Sequence, residues 1–401
     1  VLAVWIFLAV FYKQYRPRWT PLTVALTVFI LIVTLATIFG ANPFRSFWSN
    51  YERMEGLITH LHLFAFFLVM SHVFLTKKDW KIYLNLFIIA SIFENIYAFL
   101  QKIGFLASPQ GGNRADGTVG NPTYLAAYLA FILFFCLILW LETESRAYKY
   151  FYTFMGFWTL VTIYFTATRG VTLGLLSGAI IFGLLYLFLK RPSKPQEVSN
   201  KRLILSALFA VLLISGGIWL FRESSFVQNS PVLSRLTSIS LTERTITSRF
   251  SIWKMSWQGV KERPILGWGP ENYNLVFSKY FRSELWRQEP WFDRSHNIIF
   301  DWLINAGIFG CLAYLGIFLT TIYVLWKDSL KNKSLIDSSI LLFILLIVYL
   351  LQNFFVFDQI ATYISFFTVL AYINSRSAFE SPAAEQQKKL TDLGQVVYVK
   401  D

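Results

Sequence analysis

Ten stretches of this chain are each long and apolar enough to cross a lipid bilayer. They fall at roughly 19–40, 57–76, 82–103, 123–142, 150–167, 170–189, 203–221, 299–325, 337–357 and 359–375. A spanning helix needs about 20 apolar residues, and inside the hydrocarbon it must satisfy its own backbone hydrogen bonds. Residues 1–12 read as the second half of one more span. The expected fold is therefore an all-α polytopic membrane protein with about eleven visible spans, the first truncated, and about twelve in the full protein. Composition agrees: 55% of the 401 residues are hydrophobic and 15% are charged, against roughly 25% charged in soluble domains. That excludes an ordinary cytosolic enzyme and a disordered chain. The chain opens on Val1 within an apolar run and has no basic leader, so it reads as a fragment and not as a signal peptide.

A net charge of +13 suggests nucleic acid until the charges are located. They sit between the apolar runs and form no single patch, which points to the membrane and to no nucleic-acid partner. With 13–18 placed inside, the inside segments are 13–18, 77–81, 142–149, 190–202, 326–334 and the tail from 376. These carry 20 of the 36 Lys and Arg residues. The short outside segments carry five: Arg45, Arg53, Lys102, Arg114 and Arg169. Every short inside loop is basic, so the alternation is the positive-inside pattern.

Four segments follow from this reading. Residues 1–221 form an N-terminal bundle of about eight spans, and 222–298 form a large extracytoplasmic loop. Residues 299–375 form three C-terminal spans, and 376–401 form a polar cytoplasmic tail. Within the loop, 247–261 reads as an amphipathic helix. Phe250, Trp253, Trp257 and Val260 recur on one face, suited to lying on the membrane surface.

Polar groups gather on the outer side: Arg53, Asn121, Arg169, Arg249, Arg294, His296 and Asp358. His296 stands where the large loop re-enters the membrane, with Ser295 as the expected N-cap. An imidazole there can accept a proton from an alcohol near neutral pH. The alternative is an interfacial histidine that only bonds to its loop. Arg169 occupies a very short turn, where a guanidinium is costly unless hydrated or paired. It either snorkels to lipid phosphates or awaits a phosphate ligand, whose oxygens its fork matches. Arg249 has the same two readings. Asn121-Pro122 is a good helix start, and such an end can hold an anion. Glu52 and Glu55 flank Arg53 and read as its partners. The aromatics of 286–292 read as interface anchors or as sugar-stacking groups. Cys136 and Cys311 lie in apolar runs and form no disulfide framework. The sequence shows no Walker loop, no HExxH and no histidine with a zinc-site companion, so neither a metal nor another cofactor is called for.

His296-Asn297, followed after nine residues by Gly307-Ile308-Phe309-Gly310, resembles the motif of the O-antigen ligase family. Ser248-Arg249 with Trp253, then Pro264 and Gly267-Trp268-Gly269, is similar to a stretch of that family's large periplasmic loop. The Thr168-Arg169-Gly170 turn and the Gly120-Asn121-Pro122 helix start are similar too. The superfamily also holds O-antigen polymerases and bacterial O-linked oligosaccharyltransferases. The resemblance implies a metal-independent enzyme of the bacterial inner membrane, active on its periplasmic face in lipopolysaccharide or other polysaccharide biosynthesis. It implies a glycan donor on undecaprenyl pyrophosphate and an acceptor hydroxyl on lipid A–core, on a growing glycan or on a protein. Carried over by motif, His296 handles the acceptor hydroxyl, and Arg169 and Arg249 hold the pyrophosphate. Arg53, Asn121, Arg294 and Asp358 are further substrate contacts. A lipid or glycan transporter is the more distant alternative. Against it, Glu94 is the one mid-span acid, whereas transporters place ionisable groups at the midplane.

Overall fold

The computed structural model describes residues 1–110, 112–189, 195–238, 244–286 and 291–376. The tail beyond 376, residues 190–194 of the loop at 190–202 and residues 287–290 of the aromatic run lie outside the described residues. Sixteen α-helices and no strand occur among the described residues. They are α1 (Leu2–Phe11), α2 (Pro21–Ile38), α3 (Pro43–Trp48), α4 (Leu57–Val73), α5 (Lys77–Lys102), α6 (Pro122–Glu142), α7 (Arg146–Thr166) and α8 (Arg169–Leu189). There follow α9 (Pro195–Leu220), α10 (Ser225–Gln228), α11 (Pro231–Thr237), α12 (Arg244–Glu262), α13 (Tyr273–Lys279), α14 (Ile298–Lys331), α15 (Ile336–Asn353) and α16 (Ile360–Arg376).

Every apolar run read from the sequence coincides with a helix. Six helices are long and apolar enough to span a bilayer: α2, α5, α6, α8, α14 and α15 with the turn before it. The others are shorter, more polar or only partly described. This is an all-α polytopic membrane protein. Local chemistry sets the helix starts. Thr20 and Asn121 accept first-turn N–H groups through their side chains, and Pro21 and Pro122 occupy the next position, where a missing N–H costs nothing.

The chain forms two compact units. The first holds the described residues of Val1–Asn85, Arg244–Lys333 and Asn353–Asp401. The second holds those of Leu86–Glu243 and Ser334–Gln352. In the first, α14 packs on α2 and α16 on α4, and α12 lies against α13 and α14. In the second, α6 packs on α7 and α8 on α9.

A helix runs where the amphipathic segment was expected, but its faces differ from the expectation. Ile252, Met255 and Val260 are buried in a core with Trp268, Tyr273, Val276, Phe277 and Ile304. Phe250 and Trp257 are exposed. Val260 therefore belongs to the inward face. The aliphatic residues and Gly259 make the close contacts, while Phe250 and Trp257 stay on the outer face. The Gly259 carbonyl accepts from Trp268 Nε1 at 2.9 Å.

Helix α14 is kinked at Ala306 and Gly307. The break frees backbone groups, and the segment after α12 takes them up. Trp268 N–H donates to the Ile304 carbonyl at 2.7 Å, and Ile308 N–H donates to the Pro264 carbonyl at 2.8 Å. Both glycines at this crossing have positive φ, +69° at Gly267 and +64° at Gly307. A Cβ on Gly267 would stand 2.3 Å from the Ile304 carbonyl oxygen, and one on Gly307 would stand 2.1 Å from the Ile265 oxygen. Only glycine combines that backbone with that approach. The Pro264…Gly269 and Gly307…Gly310 segments, distant in sequence, are thus two sides of one contact.

Candidate functional site

The site in the first unit is built on the turn leading into α14. Asn297 is the N-cap: its Oδ1 accepts the N–H groups of Ile299 at 3.0 Å and Phe300 at 3.2 Å. Ser295, the expected cap, instead gives its N–H and its hydroxyl to Asp301 Oδ1, at 2.8 and 2.7 Å. The reason lies between them. His296 is left-handed, with φ +55°, so helical direction starts only at the residue after it. Such a backbone costs on the order of 1–3 kcal/mol and persists where surroundings impose it. Here Asp301 holds one side of the turn, Trp253 Nε1 donates to the Ser295 carbonyl at 3.1 Å, and Asn297 Nδ2 donates to the Phe354 carbonyl at 3.2 Å.

The His296 ring is half-buried, set edge-on between Phe292 and Phe357, with centroids 5.4 and 5.0 Å away. Arg53 lies over the same Phe357 ring at 4.6 Å and forks onto Asp293 at 2.5 and 3.1 Å. Burial pushes the imidazole down to about 4, helped by the positive charges of Arg249, Arg53 and Arg294 and opposed by Asp293. The ring is therefore neutral at physiological pH and able to accept a proton. Burial raises the Asp293 carboxyl, but the Arg53 fork and the charges of Arg53 and Arg294 outweigh that and hold it below its usual range.

Arg294 is buried. Its Nη2 donates to Glu55 Oε2 at 2.8 Å and also to Glu271. Two carboxylates thus share one guanidinium. Burial opposes the charge on Arg294, yet Glu271 and Glu55 keep its pKa well above the ordinary value. Glu55 goes the other way, up to about 8. Burial raises it first, Arg294 pulls it down, and the charges of Glu271 and Asp358 push it up again. Asp358, in the turn between α15 and α16, is buried and accepts from Asn353 Nδ2 at 2.9 Å and Thr362 Oγ1 at 3.1 Å. Glu55, Arg294, Asp301, Phe357 and Asp358 line one small cavity.

The first unit thus gathers His296, Arg53, Arg294 and Asp358, and half-buried Arg249 acts on His296 through its charge. The pairing differs from the sequence reading: Arg53 belongs to Asp293 and Glu55 to Arg294. Glu55, Glu271, Asp293 and Asp301 were missed as site residues. For Glu55 the available signal was the cost of a carboxylate in a short loop beside hydrocarbon, which demands a partner. Of the aromatic run, Trp286 and Trp291 are exposed, and Phe292 packs on His296.

Arg169 and Asn121 belong to the second unit. Arg169 opens α8; its Nε donates to the Arg235 carbonyl at 2.6 Å and its Nη2 to Ser238 Oγ at 3.0 Å. Arg114 reaches the same turn, giving Nε to the Thr166 carbonyl at 2.7 Å and Nη2 to Thr168 Oγ1 at 3.2 Å. Asn121 is the N-cap expected of it, accepting from Thr123 N at 2.8 Å and Tyr124 N at 3.4 Å. Its side-chain oxygen is therefore engaged by the helix. Glu94 is bound to the loop before α6, accepting from Thr118 N at 3.1 Å and from the Thr118 hydroxyl.

No curated protein matches the chain. Residues 154–315 match a family described as O-antigen ligase. The matched stretch starts within α7 and ends past the kink of α14, so it takes in Arg169, Arg249, Arg294 and His296. Through residues 154–315 this chain is thus similar to the O-antigen ligase family, whose members transfer glycans in general, and its long apolar helices mark an integral membrane protein.

Proposed function

We propose that the chain moves a glycan from undecaprenyl pyrophosphate to an acceptor hydroxyl, as an O-antigen ligase does, with lipid A–core as the acceptor class. The reaction is placed on the extracytoplasmic face of a bacterial inner membrane. The observation that carries the reading is the placing of His296 on a braced turn at the start of α14, edge-on between Phe292 and Phe357, with Arg53 over the same Phe357 ring. In this scheme the acceptor O–H donates to the imidazole, and its oxygen bonds to the anomeric carbon. The bond from that carbon to the diphosphate oxygen breaks, the diphosphate leaves with the electron pair, and the proton rests on His296 before release. Arg249 and Arg169 are assigned to the charge that grows on the leaving group. Positioned positive charge in a dry site is usually the largest stabilising effect of this kind. Arg53, Arg294 and Asp358 then act mainly by holding the site's shape, and Asn121 by capping α6 in its own unit. No metal is needed in this scheme, because guanidinium groups take the role a divalent cation would have.

The test is transfer by purified protein from lipid-linked glycan to lipid A–core, to free glycan and to a protein acceptor, each with and without EDTA. Transfer to lipid A–core that survives EDTA is expected. Product on glycan or protein alone would move the chain to the polymerase or protein-transferase reading, and loss on chelation restored by Mg²⁺ would remove the metal-free scheme. Orientation is read separately. In intact cells an impermeant thiol reagent should label Ser230→Cys and spare Pro195→Cys; the reverse would put the site on the cytoplasmic face.

A further inference from the structure

The small cavity beside Arg294 presents four polar atoms that the surrounding fold does not take up. His60 Nε2, Arg294 Nε, Asp301 Oδ2 and Trp302 Nε1 are buried and have no hydrogen-bond partner among the described residues. Each of these residues is at most 5% exposed, and all four line this one cavity. An unmade bond at a buried polar group is costly, so four around one space call for a common partner. Their chemistry is balanced. The Arg294 Nε–H and the Trp302 indole N–H can only donate. Asp301 Oδ2 accepts, while its other oxygen takes the N–H and the hydroxyl of Ser295. His60 Nδ1 lies 3.0 Å from the Gly56 carbonyl, which can only accept. The ring proton therefore sits on Nδ1, and Nε2 is left as an acceptor. Two donors and two acceptors thus face the same space. Its volume is about 10 Å³, about the least that holds one water molecule.

We infer that one ordered water occupies this cavity, bonded to His60, Arg294, Asp301 and Trp302 together, and that through it His60 and Trp302 position the turn of His296. Water is the ligand of this size that gives two hydrogen bonds and takes two. A cation would face the two N–H groups, and an anion would face the Asp301 oxygen. The water joins two structures already described. On one side Arg294 is held by Glu55 and Glu271. On the other, Asp301 holds Ser295, the neighbour of left-handed His296. Bonded to both, the water fixes Asp301 Oδ2 and keeps Oδ1 aimed at Ser295. His60 and Trp302 complete the tetrahedron from α4 and α14, their rings edge to face with centroids 5.6 Å apart. Such a network gains from being fully satisfied and loses more than one bond when a member is removed. Both are positioning residues that act through Asp301 and Ser295. This rests on the proposed role of His296 and extends it to two residues that the sequence reading did not single out.

The full chain in lipid nanodiscs provides the test, in two arms. The first is an experimental structure fine enough to show ordered water elsewhere in the protein interior. One density feature within hydrogen-bond reach of Arg294 Nε and Asp301 Oδ2 is expected. No density there, or the four side chains turned to bond one another, would overturn the water site. The second arm is kinetic, with lipid-linked glycan and lipid A–core. Trp302→Phe keeps a ring against Tyr314, on which Trp302 stacks at 5.4 Å, and removes one donor to the water. It should cut kcat about tenfold, the share of one hydrogen bond, and leave KM within about twofold. Trp80→Phe is the control. Trp80 is equally buried in the same unit, and its Nε1 donates to the Phe74 carbonyl at 3.0 Å. That variant should melt earlier and keep its kcat. Melting curves establish that each variant is folded, and should Trp302→Phe not fold, His60→Leu carries the comparison. If Trp302→Phe keeps its kcat as Trp80→Phe does, the positioning role is wrong. If His296→Ala transfers at the wild-type rate, the role of His296 fails and the positioning role with it, while the density alone decides the water.

Discussion

Each of the two units has its own group of arginines, and the two groups meet different partners. In the first unit, Arg53 and Arg294 meet carboxylates: Asp293 for one, Glu55 and Glu271 for the other. In the second, Arg114 and Arg169 reach carbonyl and hydroxyl oxygens of Thr166, Thr168, Arg235 and Ser238. A guanidinium locked to carboxylates has its field cancelled at close range and serves as a brace. One that reaches carbonyl and hydroxyl oxygens ties backbone segments together. The same residue type thus braces buried acids in one region and orders a turn in the other, where the proposed function assigns Arg169 to the leaving group.

The sharpest way to break this comparison is to remove the reactive ring and spare the braces. His296→Ala leaves both ion-paired groups intact, so the variant should fold and lose turnover by a factor on the order of 10²–10⁴. Donor binding should hardly change. Wild-type initial rates in folded protein would strip His296 of its role. Next in size is Arg294→Ala. It strands two buried carboxylates, which should cost on the order of 3–5 kcal/mol and appear as lost folded protein in thermal melts. Arg169→Ala should do the reverse: melt normally and transfer poorly. If the two variants behave alike, the division between arginines that brace acids and one assigned to the leaving group fails.

A finer division concerns shape against charge. Lysine keeps the charge and loses the fork, so Arg169→Lys and Arg249→Lys should retain part of the rate that the alanine variants lose. If leaving-group charge grows during transfer, the loss should fall on kcat more than on donor affinity.

The smallest effects come with pH, and they run in opposite directions. Glu55 is raised from 4.5 to about 8 in the folded protein. Its contribution to stability is therefore present below about 4.5 and is lost as pH rises through about 8. His296 is lowered from 6.5 to about 4, so stability falls as pH drops below about 6.5 and levels off below about 4. Melts of Glu55→Gln should lose the alkaline slope and keep the acid one. In kinetics, the acid limb of kcat/KM should lie near 4, and that of kcat higher, because a bound diphosphate offsets the Arg249 charge. Coincident limbs would argue against anion binding near His296.

The helices were legible because each depends on about 20 consecutive residues, and the caps at Asn121 and Pro122 because their chemistry is local. The pairings were not. Glu55 stands two residues from Arg53 and bonds to Arg294, while Arg53 bonds to Asp293. Sequence adjacency says nothing about which carboxylate a folded turn brings within reach. The cap of α14 was misplaced by two residues because a positive φ at His296 leaves no signature in a histidine. Val260 was set on the outer face of α12 by its spacing, whereas it packs inward with Ile252 and Met255 in the space against α13 and α14.

The crossing at Gly267 and Gly307 limits how parts of this protein can be exchanged. The loop segment and the bend of α14 meet backbone to backbone, with no side chain to adjust between them. A chimera that imports a homologous loop but keeps the resident helix inherits half of a joint. The loop is therefore best transplanted as a cassette from α12 to beyond Gly310, joints included. An insertion between Pro264 and Asn272 is the one to avoid, because a single added residue there shifts Gly267 out of register with the bend.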